Sequence, residues 1–510
     1  MVNYVKVCGH RALPWCLATA LVGRVNGVHA QDTATALSLQ AVVAQVRELN
    51  KDILIKRAEK GIAATGLDRA AAAFQPIASV SLTDGRNRIP STYEERLSRG
   101  TAGLRDPFYQ RDGQDYTAGV SQLLPSGAKL EAKSTLSRFI TNINQQDGRP
   151  EGAKDNRSFW GLTLTQPLAK DGGVAVTQAR GMVAKLDLAV AEHTQSDTES
   201  SVVADATMAY YELVLAQQRV GAAHEKIRTG QGLLSQAREL ARQGRLPETE
   251  VWEVENALYR YQAGLSESVH AERERLNRLN TLLMRTAGAG SPVWRASDAL
   301  PAVSPLDAVA SDALRRAMEN RPDFLMRKKL LEREGVQLVY AQNQVLPRID
   351  LVATYGQNGL AYALRTALSP NVLNDNPTWT LGLQMQMPLG ENRQGRADVM
   401  AAQLRRENAL LALKALEVQI ANDIDTSLSM RASAIERWTH WQSVAQREQQ
   451  QLELERSRFA AGRSGMREIL MREERAVNAR LMQQEQQLAF AKAQVVLESA
   501  QGILLQRWPS

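Results

Sequence analysis

Cysteine is almost missing from this 510-residue chain: there are two, Cys8 and Cys16, both within the first thirty residues. Without that segment the chain has no thiol, which excludes a disulfide framework, a thiolate metal site and a cysteine nucleophile. No run of eighteen apolar residues occurs, so no transmembrane helix is predicted, and a chain of this kind crosses a membrane only as strands. Histidine is also scarce. Outside the first thirty residues only His193, His224, His270 and His440 remain, far apart and without metal-ligand spacing. There is no phosphate loop, no dinucleotide fingerprint and no nucleophile elbow. Asp171-Gly172-Gly173 reads as a turn, and Asp423 and Asp425, two apart in a helical pattern, point to different faces. The expectation is a protein that is not an enzyme and holds no cofactor and no metal.

A strong charge of one sign is lacking too. The formal charge is +7, from 62 bases and 55 acids. Lys6, Arg11 and Arg24 fall in the first thirty residues with no acid, so the remainder carries 59 bases against 55 acids, or +4. That excess is interspersed with acids, which argues against nucleic acid as a partner. The segment 1–30 itself has the pattern of an export signal. Lys6 and Arg11 are followed by an apolar stretch over 12–22, and Val28-His29-Ala30 supplies small residues before Gln31. The Leu-Pro-Trp before Cys16 argues against lipid attachment there.

What is present is an internal duplication. A Gly/Pro-rich linker, 287–305, separates a first repeat, 31–286, from a second, 306–510. Each begins with a helical stretch, 37–74 and 306–344, that ends before a proline, Pro76 or Pro347, whose ring cannot continue a helix. Strands follow. In WTLGLQMQM, Trp379, Leu381, Leu383, Met385 and Met387 alternate with Thr380, Gly382, Gln384 and Gln386, a strict two-residue period. WGLTLTQ echoes it, with Trp160, Leu162 and Leu164 on one face. Such faces suit a half-buried strand of a soluble sheet, and equally a wall between lipid and water.

Each strand group ends at Pro-Leu and a glycine turn, then about seventy residues of helical pattern run over 173–244 and 393–462. At about 1.5 Å per residue these arms are on the order of 100 Å long. Each reverses at Gly-Arg, Gly244-Arg245 and Gly462-Arg463, 218 positions apart, and returns through a second helix over 248–287 and 465–505. Both glycines precede an acid by six residues, Glu250 and Glu468. The chain is therefore predicted to form two very long helical hairpins. Periodicity alone would allow a non-porous periplasmic coiled-coil scaffold, but such a rod has no use for alternating tryptophan-bearing strands between its helices.

ALRRAMENRPDF, with Asn320-Arg321-Pro322-Asp323, followed by LPRIDLVATYG, resembles the TolC family of outer-membrane channel proteins, and NKDI at Asn50 is its weaker echo in the first repeat. The resemblance covers about 37–505. It implies a mainly helical homotrimer whose strands, about four per chain, share one twelve-stranded outer-membrane β-barrel continuous with a periplasmic helical barrel. The implied strands are 76–83, 158–166, 348–357 and 379–387. Backbone accounting agrees. Four strands cannot close, lipid offers no hydrogen bonds to an open edge, and three chains supply about twelve. One stretch departs from this scheme. Pro76 and Trp160 are 84 positions apart, against 32 between Pro347 and Trp379. The excess contains two strand-like runs around Pro125-Ser126-Gly127, read either as an added surface hairpin or, preferably, as family strands lengthened beyond the bilayer.

The implied function is a passive exit duct of a tripartite efflux pump or a type I secretion system. Its implied partners are a periplasmic adaptor (membrane fusion) protein and an inner-membrane ABC exporter or proton-driven pump, and its surroundings outer-membrane lipid. The tips would close the tunnel and dock the adaptor, with Gly244 and Gly462 reversing the chain and Arg245, Leu246, Arg463 and Ser464 presented outward. In the family a tyrosine and an arginine help lock the entrance. Phe459 and Ser464 occupy those positions here, without the hydroxyl or the guanidinium, and Arg463 lies one place early. An acidic ring past the turn would include Glu468, with Met471 standing where a second acid is expected. Alternatively, Glu468 simply completes a helical first turn in water.

Overall fold

The computed structural model describes residues 35–100, 107–142, 153–286, 294–305, 309–369 and 376–508. The expected export signal, 1–30, and the first part of the linker, 287–293, lie outside them. In chain order the first repeat comprises β1 (Thr35–Leu37), α1 (Leu39–Leu49), α2 (Lys51–Ala72), β2 (Ile77–Pro90), α3 (Tyr93–Gly100), β3 (Phe108–Leu123), β4 (Lys129–Thr141), β5 (Asp155–Pro167), α4 (Val174–Thr177), α5 (Ala179–Arg242) and α6 (Glu248–Leu282). The linker carries β6 (Trp294–Ala296). The second repeat comprises α7 (Ala310–Asn320), α8 (Pro322–Gln344), β7 (Arg348–Ala361), α9 (Leu364–Ala367), β8 (Pro377–Gln386), α10 (Arg393–Ala460) and α11 (Met466–Ala500).

Each repeat opens not with one continuous helix, as expected, but with two. The break falls at the same place in both. Asn50 ends α1 in an extended conformation and its side chain accepts from the Asp52 N–H, capping α2. Arg321 ends α7 in the same way, and Pro322 opens α8 at a position where its missing N–H costs nothing. These are the NKDI and NRPD segments, so the motif marks a helix junction. The linker is not merely irregular either: β6 pairs in parallel with β1.

The remaining strands form one six-stranded antiparallel sheet in the order β2-β3-β4-β5-β7-β8. The expectation of about four barrel strands per chain is thereby corrected to six in this sheet among the described residues. The segment between β2 and β5 neither hangs outside the sheet nor merely lengthens its neighbours. β3 and β4 are inserted as a full hairpin, because their alternation matches that of β2 and β5 over eleven or more register pairs on each side. Two implied strands also run further than expected, to Pro90 and Ala361. The extension of β2 is polar, with Arg86 paired to Asp112 at 2.8 Å and the Arg88 guanidinium 3.6 Å from the centre of the Phe108 ring.

The long helices pack side by side. α5 folds back along α6, and α10 along α11. α2 and α8 lie on either side of α5, and α10 packs on α8, so the wall runs α2–α5–α8–α10. α5 has 64 residues and α10 has 68, or about 100 Å each. The largest core sits midway, where α1, the middle of α5, the linker and the C-terminal segment meet around Val42, Val46, Tyr210, Leu213, Leu279 and Leu504. The Tyr210 hydroxyl donates to the Leu37 carbonyl at 2.9 Å and receives the Asp298 N–H at 3.1 Å, which ties the linker to the first repeat. Burial of this hydroxyl raises its pKa, so it stays a neutral donor.

Candidate channel wall and tip site

The register of the sheet sorts its side chains into two faces. On one, Ala78, Val120, Ala132, Leu162, Tyr355 and Trp379 form a single row across all six strands. Leu130, Leu164, Ala353 and Leu381 form the next, followed by Leu351 with Leu383 and Ile349 with Met385. Trp160, Leu162, Leu164, Trp379, Leu381, Leu383 and Met385, expected on one face from the sequence, share this one and are 40–74% exposed, while Met387 falls just beyond the end of β8. Val80, Leu82, Tyr116, Val120 and Leu130 belong to this face as well.

The opposite face carries Ser121, Glu131, Thr163, Thr354 and Thr380 in one row, and Ser79, Gly119, Lys133, Gly161, Gly356 and Thr378 in another. Thr163 and Thr354 share a hydrogen bond at 3.1 Å. Along the C-terminal half of β3 and the middle of β5, apolar-face residues are exposed while their polar-face neighbours are half-buried. The sheet is therefore curved, with the polar face concave. Gly161 and Gly356 are opposite one another in register, and the Phe159 ring lies over both. A Cβ on either would come within 2.4 Å of that ring.

At the far end of the helices, both reversals are built alike. Gly244 and Gly462 have φ of +71° and +68°. Gly244 N–H donates to the Ala241 carbonyl and Arg245 N–H to that of Leu240; Gly462 N–H donates to Phe459 and Arg463 N–H to Arg458. These paired bonds satisfy the last carbonyls of each helix, and they require a left-handed residue that glycine supplies without strain. The two tips lie against each other. Met466 and Phe459 of the second hairpin pack on Ala237, Val251 and Val254 of the first, and Arg467 reaches Glu253 at 2.9 Å.

Between the tips is a groove of about 940 Å³ lined in part by Arg245, Leu246, Glu250, Phe459, Gly462 and Ser464. The Ser464 hydroxyl and one Glu250 carboxylate oxygen are buried there without a hydrogen-bond partner among the described residues. Of the residues selected in the sequence, Gly244, Arg463, Glu468 and Met471 are exposed outside the groove lining. Glu250 and Glu468, equivalent by spacing, are thus not equivalent in place. Met466 and Glu250 contribute to the tip although neither was selected, because burial between two hairpins has no local signal.

Midway along the wall, the NRPD segment makes its own contacts. Arg321 grips Asp323 through two bonds, 2.8 and 3.1 Å, and Asp423 of α10 at 3.0 Å. Burial alone would lower the pKa of this guanidinium, but the two carboxylates outweigh it and raise it. The helix junction is thereby fixed to the neighbouring arm.

No protein-family model and no curated protein matches this sequence. Solved structures do match. The CmeC outer membrane channel of Campylobacter jejuni superimposes with a TM-score of 0.61 at 15% identity, over 91% of this chain and 86% of that one. The outer membrane protein VceC of Vibrio cholerae gives 0.60 at 15% identity over 91% and 96%. The open state of the MtrE outer membrane channel of Neisseria gonorrhoeae gives 0.59 at 14% identity over 92% and 91%. Six strands gathered in one sheet, two paired helical hairpins about 100 Å long and near-complete coverage of both partners lead to one conclusion: this chain has the fold of the TolC-like outer-membrane channels.

Proposed function

We propose that three copies of this chain form a passive exit duct through the outer membrane, serving a tripartite efflux pump or a type I secretion system. The observation that carries the reading is the sheet: one face apolar across six strands, the other polar and concave, and at each end an edge with no partner strand among the described residues. Lipid cannot satisfy those edges, so the sheet must close with further copies of itself. β2 and β8 run in opposite directions after five antiparallel steps, so the free edge of one copy matches that of the next.

The helical wall is open on the same flanks. Ile55 and Ile62 of α2, and Met400, Leu404, Leu411 and Val418 of α10, are exposed at mostly seven-residue spacing. That is the stripe expected of helices that meet across a subunit boundary. In this reading 1–30 is an export signal, 31–286 and 306–510 are the two repeats, and the helices stand in the periplasm. The tips meet a periplasmic adaptor through Arg245, Leu246 and Arg463, with the Ser464 hydroxyl turned into the groove beside them, and Glu468 faces the entrance. Opening is driven by inner-membrane partners, because the duct itself performs no chemistry. Phe459 is packed between the hairpins, so an entrance lock of the family's kind would have to use other side chains.

The test is to purify the exported protein in detergent, measure its mass, and delete its gene while following drug sensitivity and secreted proteins. A three-chain particle and loss of export of either kind are expected. A monomer soluble without detergent would overturn the reading.

A further inference from the structure

The inserted hairpin has a consequence for the barrel that goes beyond the duct reading and rests on it. We propose that β3 and β4 are part of the membrane wall, so that three copies close an eighteen-stranded barrel, and that Lys133 forms a ring of three ammonium groups in its lumen.

Three independent features carry this. First, the hairpin has the two faces of a membrane wall. Val120 and Ala132 fall in the row of Ala78, Leu162 and Tyr355, Leu130 falls in that of Leu164 and Ala353, and Tyr116 and Ala118 stand opposite Leu82 and Val80 of β2, while Gly119 and Lys133, and Ser121 and Glu131, fall in the two polar rows. A surface hairpin packed outside the barrel would have no reason to keep that register.

Second, β2 and β5 do not touch as neighbours. β3 and β4 are hydrogen-bonded between them, so the sheet cannot be reduced to four strands without breaking the pairings on both sides. Third, the hairpin turn is built into the junction between barrel and helices. Leu124, Pro125, Ser126 and Gly127 form a turn closed by the Gly127 N–H to the Leu124 carbonyl at 2.9 Å. Gly173, just before α4, donates to the Ser126 carbonyl at 3.2 Å. Gly127 has φ of +90°, and a Cβ there would lie 2.6 Å from the Asp171 carbonyl. Ala128 beside it is buried.

Three copies of six strands give eighteen, against twelve for four strands per copy. Barrel diameter grows roughly linearly with strand number, so the wall would be about 1.5 times as wide, in the range where barrels hold an aqueous channel. Lys133 lies in the row with Ser79, Gly119, Gly161, Gly356 and Thr378, none of which carries charge, so its ammonium is the charged group of that row. Such an exit favours bulky, hydrated cargo and, at that row, anions over cations.

Electron cryo-microscopy of the full-length trimer in lipid nanodiscs is expected to resolve eighteen strands. Replacing residues 87–153 by Asn-Gly keeps Gly85 opposite Asp155 and the faces in phase, and this variant should show twelve strands and a barrel about two-thirds as wide. Because that variant can fail to assemble, Lys133→Glu is measured in parallel. With the hairpin in the wall, it should move the reversal potential in a salt gradient towards cation preference in every channel. A conducting trimer with twelve strands and the hairpin outside the wall, or an unchanged reversal potential in Lys133→Glu, would overturn this inference and leave the duct standing. A protein that forms no conducting trimer at all would overturn the duct reading itself.

Discussion

Leu383 and Gln384 are adjacent on β8 and, in the proposed barrel, face opposite media. Leu383 is 67% exposed in the single chain and stands opposite Leu351 in register. It lies four residues from Trp379, or about 14 Å along the strand. At a tilt of about 40° that is roughly 10 Å of depth, close to the middle of an apolar band about 25 Å tall. Leu383→Arg should therefore cost about 2–4 kcal/mol per chain. Gln384 stands opposite Asp350, which is buried, is held by Arg348 at 2.7 Å, and leaves one carboxylate oxygen without a partner among the described residues. An arginine at 384 enters water beside that carboxylate, so Gln384→Arg should be close to neutral. The assay is the denaturant midpoint for folding into vesicles, followed by tryptophan fluorescence, with the yield of assembled protein alongside. Equal losses at the two positions, or a larger loss at 384, would refute the assignment of the faces.

Four further outcomes follow from the helices. Gly462→Val should disorder the tip and abolish export while leaving assembly intact, since a β-branched residue at φ +68° costs on the order of 1–3 kcal/mol and the barrel is about 100 Å away; Arg463→Glu should reduce capture of the adaptor in a cross-linking assay with the same assembly. Val418→Glu should weaken association by on the order of 2 kcal/mol per copy, by removing apolar burial between subunits, and native mass spectrometry should show dissociated chains. Glu212 receives Arg275 at 2.8 Å and Arg278 at 3.3 Å and is bonded to Lys492. Burial alone would raise its pKa, but these three cations outweigh that and hold it below the ordinary value. A depressed acid contributes stability that is present above its unfolded pKa and lost as pH falls through its folded pKa. Glu212→Gln should therefore cost about 1.5–3 kcal/mol at pH 7 and much less near pH 3, as read from thermal unfolding at both values.

The parts of this fold that are legible in the sequence are those whose cause is local. Gly244 and Gly462 stand where a helix must end in a left-handed residue, and no other residue type takes that conformation so readily. Trp379 to Met387 alternate without a break, so the two faces of β8 can be read directly from the residues. The helix junctions at Asn50 and Arg321 were missed because the helical pattern resumes at once on the other side. Their motifs were visible, but the capping by Asn50 and the grip of Arg321 on Asp423, 102 positions away, are tertiary. The same holds for β3 and β4. Their alternation and their Pro-Ser-Gly turn were apparent, but whether a hairpin hangs outside a sheet or enters it depends on pairings with β2 and β5. The extension of β2 through Asp84-Gly85-Arg86-Asn87 reads as loop, and only the Arg86–Asp112 pair on the neighbouring strand makes it a strand. At the tips, the sequence places Phe459 at the periplasmic entrance but does not reveal the small core it forms with Met466, which exists only because two hairpins lie side by side.

Single-channel recording in a planar bilayer tests the central claim most directly. Protein purified in detergent as a homogeneous trimer should insert and give discrete, stable conductance steps, and Glu468→Ala should alter the cation preference of those steps if the tips enclose the path of the ions. Well-folded trimer that never conducts, at any voltage and from either side, would contradict the account and make the long helices a scaffold instead of a duct.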